Sequence, residues 1–143
     1  MIIGIGSDIV NINRIDKTLN KFGERFKSRV FTDIEIFKSE NRMHKSASYA
    51  KRFAAKEAFS KALGTGFSKG VFMKDLGVVN LKSGKPTMEI SGKALIKLNE
   101  IIPSGFVPNI ELSLSDEFPL AYAIVIISAQ RQADEIVDKV LKV

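Results

Sequence analysis

The spacing of hydrophobic and polar residues divides the chain into short segments with strand-like or helical periodicity. Hydrophobic side chains cluster over residues 2–10, which predicts a short buried strand. Gly4 and Gly6 interrupt this strand, and glycine in a strand often marks close approach by another backbone or by a ligand. From residue 13 to residue 26 the apolar residues recur at three- and four-residue spacings, which predicts the first helix.

A second helix is predicted to begin near Thr32. Thr32 is a suitable N-cap, and Glu35 follows it in the register of a capping box. Ile34 and Phe37 would be the apolar residues of this helix.

The clearest helix covers residues 47–63. This segment is rich in alanine and contains neither glycine nor proline, and Gly64 is suited to end it as a C-cap.

The second half of the chain has the pattern of strands with one intervening helix at residues 91–101. After about residue 131 the apolar side chains group on one face, which predicts a C-terminal amphipathic helix. No repeat or low-complexity linker divides the chain, so we expect one α+β domain of residues 1–143. Strands are predicted at residues 75–81, 87–90, 110–115 and 121–128.

Composition excludes several classes of site. The chain has no cysteine, which excludes disulfides, zinc–thiolate centres and thiol nucleophiles. No apolar run approaches the ~20 residues that cross a bilayer, and the first ten residues lack the basic region of a signal peptide. We therefore expect a cytoplasmic protein without a membrane partner.

The chain has a net charge of +6, which favours an anionic partner. Nucleic acid, a phosphorylated small molecule and an acidic protein all satisfy this condition, and a basic surface that only keeps the protein soluble is the alternative.

Two carboxylates and one lysine stand out by their context. Asp8 follows the glycine-containing strand, and Glu57 and Lys61 lie four residues apart on one stripe of the long helix. Magnesium prefers hard oxygen ligands, often one or two carboxylates completed by phosphates and water. Asp8 and Glu57 could form such a pair, with Lys61 contacting a phosphate. Alternatively, Glu57 and Lys61 form an ordinary helix-stabilising pair, and Asp8 caps the following helix.

Two motifs then carry a specific resemblance. GIGSDIVNINRI at the N-terminus, followed some forty residues later by RFAAKEAFSKALGTG, resembles the holo-acyl-carrier-protein synthases of the 4′-phosphopantetheinyl transferase family. The resemblance covers roughly residues 2–128 and includes a GKP turn and a late LSLSDE…AYAIVII strand pair. It implies a small antiparallel sheet packed against a long central helix.

The resemblance implies a magnesium-dependent transfer of 4′-phosphopantetheine from coenzyme A to a serine of an apo acyl carrier protein, in support of fatty acid biosynthesis. The reaction releases 3′,5′-ADP. By position, Asp8 and Glu57 match the family's magnesium ligands. The expected coenzyme contacts are Lys61, Gly64, Thr65, Gly66, Lys85 and Pro86. Members are typically homotrimers with active sites at subunit interfaces.

The general base stays open among Glu35, Glu57 acting through a water, and solvent, with Glu57 and Lys61 as the other catalytic residues. Basic residues recur along the first helix and its continuation, and in the family such residues dock the acidic carrier protein. The predicted docking residues are Arg14, Lys21, Arg25 and Arg29, with Lys17 on the same face as the first two.

Three features depart from the family pattern. Glu111 stands where many relatives have histidine, so a coenzyme contact there is not inherited. His44, the only histidine, matches no motif and is expected at the surface. The C-terminal helix extends beyond the usual end of the family and is expected to pack on its own domain or on a neighbouring subunit.

Two other functions remain to be separated from the transferase. The calculated pI of about 9.6 motivates a nucleic-acid-binding domain, although no aromatic-interleaved basic stripe supports one, and we expect no nucleic-acid partner. A magnesium-dependent hydrolase of phosphoanhydrides would use the same carboxylate pair.

Overall fold

The computed structural model describes residues 1–132, which form an α+β arrangement of five strands and five α-helices. The strands are β1 (Ile2–Asn11), β2 (Leu76–Asn80), β3 (Pro86–Ile90), β4 (Phe106–Glu117) and β5 (Leu120–Arg131). The helices are α1 (Ile12–Phe22), α2 (Glu24–Val30), α3 (Asp33–Glu40), α4 (Lys45–Leu63) and α5 (Gly92–Ile101). The predicted C-terminal helix lies outside the described residues.

The strands form two antiparallel sheets. One has the order β1-β5-β4, and the other is the β2–β3 hairpin. Helix α4 packs across the inner face of the three-stranded sheet, where small side chains such as Ala58 of α4 and Ala123 of β5 are fully buried. Small residues on both layers allow the helix and the sheet to approach closely, so α4 is the central helix of the fold.

The two glycines of β1 face the backbone of α4. A Cβ atom on Gly4 would overlap the carbonyl oxygen of Ala62, and one on Gly6 would overlap the carbonyl oxygen of Ala58. Of the two explanations that the sequence left open for these glycines, the structure shows the approach of another backbone. Strand β1 and helix α4 therefore touch through main-chain atoms, with no side chain between them.

The first predicted helix is wrong as a continuous element. It is broken at Gly23, whose φ of 51° belongs to the region that glycine adopts without strain, and the chain continues as a separate helix, α2. The late strands are also longer than predicted, because β4 and β5 pair continuously from Phe106↔Arg131 to Glu117↔Leu120.

Helix α3 begins with the predicted capping box: Thr32 Oγ1 accepts from the Glu35 backbone N–H, and Glu35 Oε1 accepts from the Thr32 N–H. The apolar residues expected for this helix, Ile34 and Phe37, are 51% and 70% exposed, whereas Glu35 is fully buried. Glu35 lies inside because a buried cation, Lys56 of α4, lies 2.7 Å from its Oε1.

Replacing Gly6 by alanine tests the contact between β1 and α4. The added methyl group would force the strand away from Ala58, so Gly6→Ala should lower the free energy of unfolding by about 1–3 kcal/mol. Urea denaturation measures this change. Ser7→Ala, an exposed position on the same strand, serves as the control and should shift stability by no more than about 0.5 kcal/mol. Equal stabilities of the Gly6 variant and the native chain would contradict the contact.

Candidate active site

The crossing of β1 and α4 brings Asp8 next to Lys61. The Lys61 Nζ donates to Asp8 Oδ1 at 2.8 Å and to the backbone carbonyl of Ser7 at 3.0 Å. The Asp8 side chain is 18% exposed and that of Lys61 is 53% exposed, so the pair lies at the surface with the carboxylate more enclosed. Two of the three residues that the sequence selected therefore meet in the folded chain.

Glu57 interacts electrostatically with both Asp8 and Lys61. Partial burial and then the neighbouring Asp8 carboxylate raise the pKa of Glu57, while Lys61 opposes the shift. Conversely, its hydrogen bond with Asp8 raises the pKa of Lys61. Two carboxylates close enough to repel each other are a suitable donor set for a hard divalent cation, which would relieve that repulsion.

The loop after α4 adjoins the same site. Gly64 ends α4 in the left-handed conformation, with a φ of 84°, and its N–H donates to the carbonyls of Ser60 and Lys61. The side chain of Thr65 bonds to the carbonyl of Gly66 at 2.8 Å. The predicted residues of this loop therefore begin three residues beyond Lys61, at the end of α4 that carries Glu57 and Lys61.

Lys85 and Pro86 lie in a different part of the chain, at the β2–β3 turn. Lys85 forms a surface ion pair with Glu111, with 2.6 Å between Nζ and Oε2, and this partner lowers the pKa of Glu111. Pro86 lines a pocket of about 430 Å³ between α4, the hairpin and β4, together with Arg42 and the exposed His44. We call this cavity the basic pocket.

Arg52 is the buried cation of the basic pocket. The residue is only 7% exposed, and its Nη1 donates to Ser48 Oγ at 2.6 Å, while within residues 1–132 its Nε has no hydrogen-bond partner. Burial lowers the pKa of Arg52. Beside it, Lys51 pairs with Asp116 at 2.8 Å. An under-satisfied guanidinium in a cavity suits an anionic ligand.

Sequence reasoning missed Arg42, Lys51 and Arg52. The only signal in the sequence was the arginine that opens the RFAAKEA motif. The pocket itself could not be predicted, because it forms only where β2, β3 and β4 meet the start of α4.

The two groups of residues occupy opposite sides of α4. Lys61 follows Arg52 by nine residues, or two and a half helical turns, so the two side chains point roughly 180° apart and their positions differ by about 13 Å along the axis. Within one chain, the carboxylate site and the basic pocket therefore face different directions.

Glu35, a candidate base, lies in the interior. Both of its carboxylate oxygens have protein partners: Oε1 bonds to the Thr32 N–H and to Lys56 Nζ, and Oε2 accepts from the Val78 N–H at 3.1 Å. Glu35 therefore has the capping role that the sequence also allowed. Its bonds to Lys56 and Val78 in addition join α3 to α4 and to β2.

The predicted docking residues are all exposed. Arg14 and Lys21 lie on α1, and Arg25 and Arg29 lie four residues apart on α2. The Lys21 Nζ lies 5.2 Å from the centroid of the Phe22 ring, which is itself 48% exposed. The basic surface thus continues across the break at Gly23 and includes an exposed aromatic residue.

An α+β domain with a carboxylate pair, an adjacent lysine and a basic pocket is suited to an enzyme that binds phosphorylated substrates. The family model described as the 4′-phosphopantetheinyl transferase superfamily matches residues 4–123. The chain therefore belongs to this superfamily, and its enzyme class is that of a phosphopantetheinyl transferase.

Close relatives agree with this assignment. The chain is 62% identical over 129 residues to the holo-[acyl-carrier-protein] synthase of Rhizobium meliloti (strain 1021), covering 90% of this chain and 93% of the relative. The crystal structure of the corresponding synthase from Neisseria meningitidis is similar, with a TM-score of 0.77 and 40% identity over 90% of this chain and 99% of that one.

The synthase from Helicobacter pylori, solved in complex with coenzyme A, is also similar, with a TM-score of 0.73 and 31% identity over 87% of this chain and 99% of that one. The family and fold predicted from the sequence are thus confirmed. Among the helices of residues 1–132, none has the length and hydrophobicity needed to cross a membrane.

The electrostatic coupling of the two carboxylates can be measured by titration. Asp8→Asn removes one negative charge, so the pKa of Glu57 should fall, although only in part because burial is the larger cause of its raised value. Carbon-13 NMR of the Glu57 carboxyl group reports this shift, with Asp116→Asn as the control. Because its pKa is raised, Glu57 in the native chain takes up its proton at a higher pH than an ordinary glutamate. As the pH falls, divalent cation binding should therefore begin to weaken at a higher pH than it would with two ordinary carboxylates. An unchanged Glu57 titration in the Asp8 variant would contradict the coupling.

Proposed function

We propose that this chain transfers the 4′-phosphopantetheine group of coenzyme A to a serine of an apo acyl carrier protein, with a magnesium ion held between Asp8 and Glu57. The observation that carries the proposal is the meeting of Asp8, Glu57 and Lys61 where β1 crosses α4. The synthases from Helicobacter pylori and Bacillus anthracis, both similar in structure, were solved with coenzyme A.

The residues of the site suit the reaction. When bound, magnesium supplies positive charge to the pyrophosphate oxygens and polarises the phosphorus. Lys61 adds a point charge on the same side, and in the free protein its ammonium holds Asp8 in place. The Asp8 carboxylate raises the pKa of Glu57, so a bound cation would relieve the repulsion between the two carboxylates. The attacking hydroxyl would belong to the carrier protein, so the transfer requires no nucleophile from this chain.

The burial of Glu35 reduces the number of candidate proton acceptors. Glu35 is fully buried and its oxygens are occupied, so it does not reach a substrate hydroxyl. We therefore assign proton removal to a water next to Glu57 or to solvent, and Glu35 to the structural framework.

The coenzyme is proposed to bind between two copies of the chain in a homotrimer. One copy contributes the carboxylate pair, Lys61 and the Gly64–Thr65–Gly66 loop, and its neighbour contributes Lys85, Pro86 and the basic pocket. Because Arg52 and Lys61 point to opposite sides of α4, two copies can place both groups on one ligand more readily than a single copy can.

An apolar surface supports this assembly. On the outer face of the three-stranded sheet, Ile5 pairs with Ile126 and Ile9 pairs with Tyr122. Ile5 and Ile9 are each 62% exposed. Exposed apolar patches of this kind mark protein interfaces, and we assign this face to the contact between copies.

The exposed basic residues of α1 and α2 are proposed to dock the carrier protein. Such carriers are acidic, and complementary charge both speeds the encounter and orients the serine. Arg14, Lys21, Arg25 and Arg29 form this surface. With an acyl carrier protein as partner, the activity would support fatty acid biosynthesis in the cytoplasm.

Mass spectrometry of the carrier protein tests the activity. Incubation with coenzyme A, magnesium and an apo carrier should add one phosphopantetheine group to the carrier, and a chelator should abolish this gain. Asp8→Ala and Glu57→Ala should each lower turnover by at least about a hundredfold while keeping the fold, because charge neutralisation at the pyrophosphate dominates this chemistry. Asp16→Ala is the control for loss of an exposed carboxylate. Cleavage of coenzyme A without a modified carrier would instead identify a hydrolase, and native turnover in either variant would remove the metal assignment.

Mixing two inactive variants tests the shared site. Glu57→Gln damages only the carboxylate half and Arg52→Gln only the basic half, so sites with both halves native form when the subunits are exchanged at random. Equal mixing should recover about a quarter of the native activity, because a heterologous interface takes each half from a different copy. A mixture of Glu57→Gln with Asp8→Asn, two changes in the same half, is the control and should stay inactive. Failure of the first mixture to regain activity after proven exchange would place the whole site in one chain.

A further inference from the structure

Two buried serines lie beside the basic pocket. Ser48 of α4 is 5% exposed and lines the pocket, and Ser39 of α3 is fully buried. Their Oγ atoms lie 2.9 Å apart, so one hydroxyl donates to the other. A hydroxyl taken out of water is costly unless it is hydrogen-bonded, and the other partners of these two serines indicate what the pair holds in place.

The Ser48 hydroxyl fixes the orientation of Arg52. Arg52 Nη1 donates to Ser48 Oγ at 2.6 Å and to the Ser48 backbone carbonyl at 3.2 Å. In the described part of the chain both hydrogen bonds of Arg52 use this nitrogen, and Nε has no partner. Because a guanidinium is planar and rigid, fixing Nη1 also fixes the edge from which Nε and Nη2 donate. That edge is left for a ligand of the basic pocket.

Ser39 connects the same pocket to α3 and to a second arginine. Its hydroxyl contacts Ser48, and its backbone carbonyl accepts from the backbone N–H of Arg42 at 3.1 Å. Arg42 also lines the basic pocket. Ser39 thus links the main chain of one pocket arginine to the side chain of the other, through Ser48.

The two arginines repel each other. Burial lowers the pKa of Arg52, Glu35 and Tyr49 oppose that shift, and the charge of Arg42 adds to it. Cationic side chains that repel each other turn apart unless hydrogen bonds hold them, and an anion bound between them relieves the repulsion. The bonds of the two serines therefore favour a guanidinium that is already oriented before an anion arrives.

We propose that Ser48 and Ser39 are positioning residues for coenzyme binding, because they hold Arg52 with its Nε and Nη2 edge directed at a phosphate group of the coenzyme. This inference rests on the proposed function, which assigns the coenzyme to the basic pocket of a neighbouring copy. Bonding between a guanidinium edge and two phosphate oxygens is bidentate, so it depends on the orientation of the guanidinium plane. Loss of either hydroxyl should weaken coenzyme binding and leave the transfer step unchanged.

Calorimetric titration with coenzyme A tests the proposal, because it reports binding without the carrier protein. Ser48→Ala removes the hydroxyl that accepts from Arg52, so the dissociation constant for coenzyme A should rise about five- to tenfold. In steady-state transfer the KM for coenzyme A should rise similarly, while kcat and the KM for the carrier stay at their native values. A merely structural role would lower the amount of folded enzyme, and therefore the apparent kcat, without raising the KM for coenzyme A.

Two variants control for the removal of a serine hydroxyl. Ser48→Thr keeps a hydroxyl at the same position and should bind coenzyme A within about twofold of the native chain. Ser46→Ala removes a hydroxyl from the same helix, but Ser46 Oγ donates to Asp16 at 2.5 Å and does not line the basic pocket. Its dissociation constant for coenzyme A should therefore equal that of the native chain.

A double-mutant cycle separates positioning from direct contact with the ligand. If Ser48 acts through Arg52, Ser48→Ala should not weaken coenzyme binding further in the Arg52→Gln background. A full effect of Ser48→Ala in that background would overturn the proposal and assign Ser48 to direct contact. Equal dissociation constants for the native and Ser48→Ala chains would overturn this inference and leave the proposed function standing. A native chain that does not bind coenzyme A would overturn both.

Discussion

The main-chain contact between β1 and α4 is the constraint on which the rest of the structure depends. Gly4 and Gly6 lie against the carbonyl oxygens of Ala62 and Ala58, at a separation that leaves no room for a Cβ atom. At this separation Asp8, two residues beyond Gly6, lies within hydrogen-bonding distance of Lys61. A larger residue at either glycine would widen the gap between β1 and α4 and separate Asp8 from Lys61.

A second constraint fixes the other side of the same helix. The ammonium of Lys56 is fully buried, where it contacts Glu35 at 2.7 Å, the Met73 carbonyl at 3.0 Å and the Leu76 carbonyl. Burial lowers the pKa of Lys56, and Glu35 opposes that shift. Removing one partner of such a buried pair leaves an uncompensated charge. Lys56 thus anchors α3 and the start of β2 to α4, while the next residue, Glu57, faces the carboxylate site.

Helix α4 consequently lies between the carboxylate site and the basic pocket. Its C-terminal half carries Glu57 and Lys61, which meet Asp8 of β1, and leads into the adjoining loop, whereas its N-terminal half carries Arg52 and the basic pocket on the opposite side. Because Glu57 and Arg52 lie on one helix, the carboxylate site and the basic pocket keep a fixed position relative to each other. In the proposed assembly of identical copies, one interface would then place both groups on a single substrate.

The sequence by itself determined the family, the α+β class and the placement of Glu57 and Lys61 on one stripe of α4, because these rest on local motifs and on spacing within one helix. It also identified the capping box at Thr32, whose groups lie three residues apart. The hydrogen bond between Asp8 and Lys61, which are 53 residues apart, was decided by the tertiary structure. The tertiary structure alone decided that Glu35 is buried, since its partner Lys56 is distant in the chain. It also decided that Gly23 breaks the first helix and that Arg52 opens into a cavity built by three strands. Contacts between residues far apart in the chain have no period or spacing in the sequence, so only the folded backbone can bring them together.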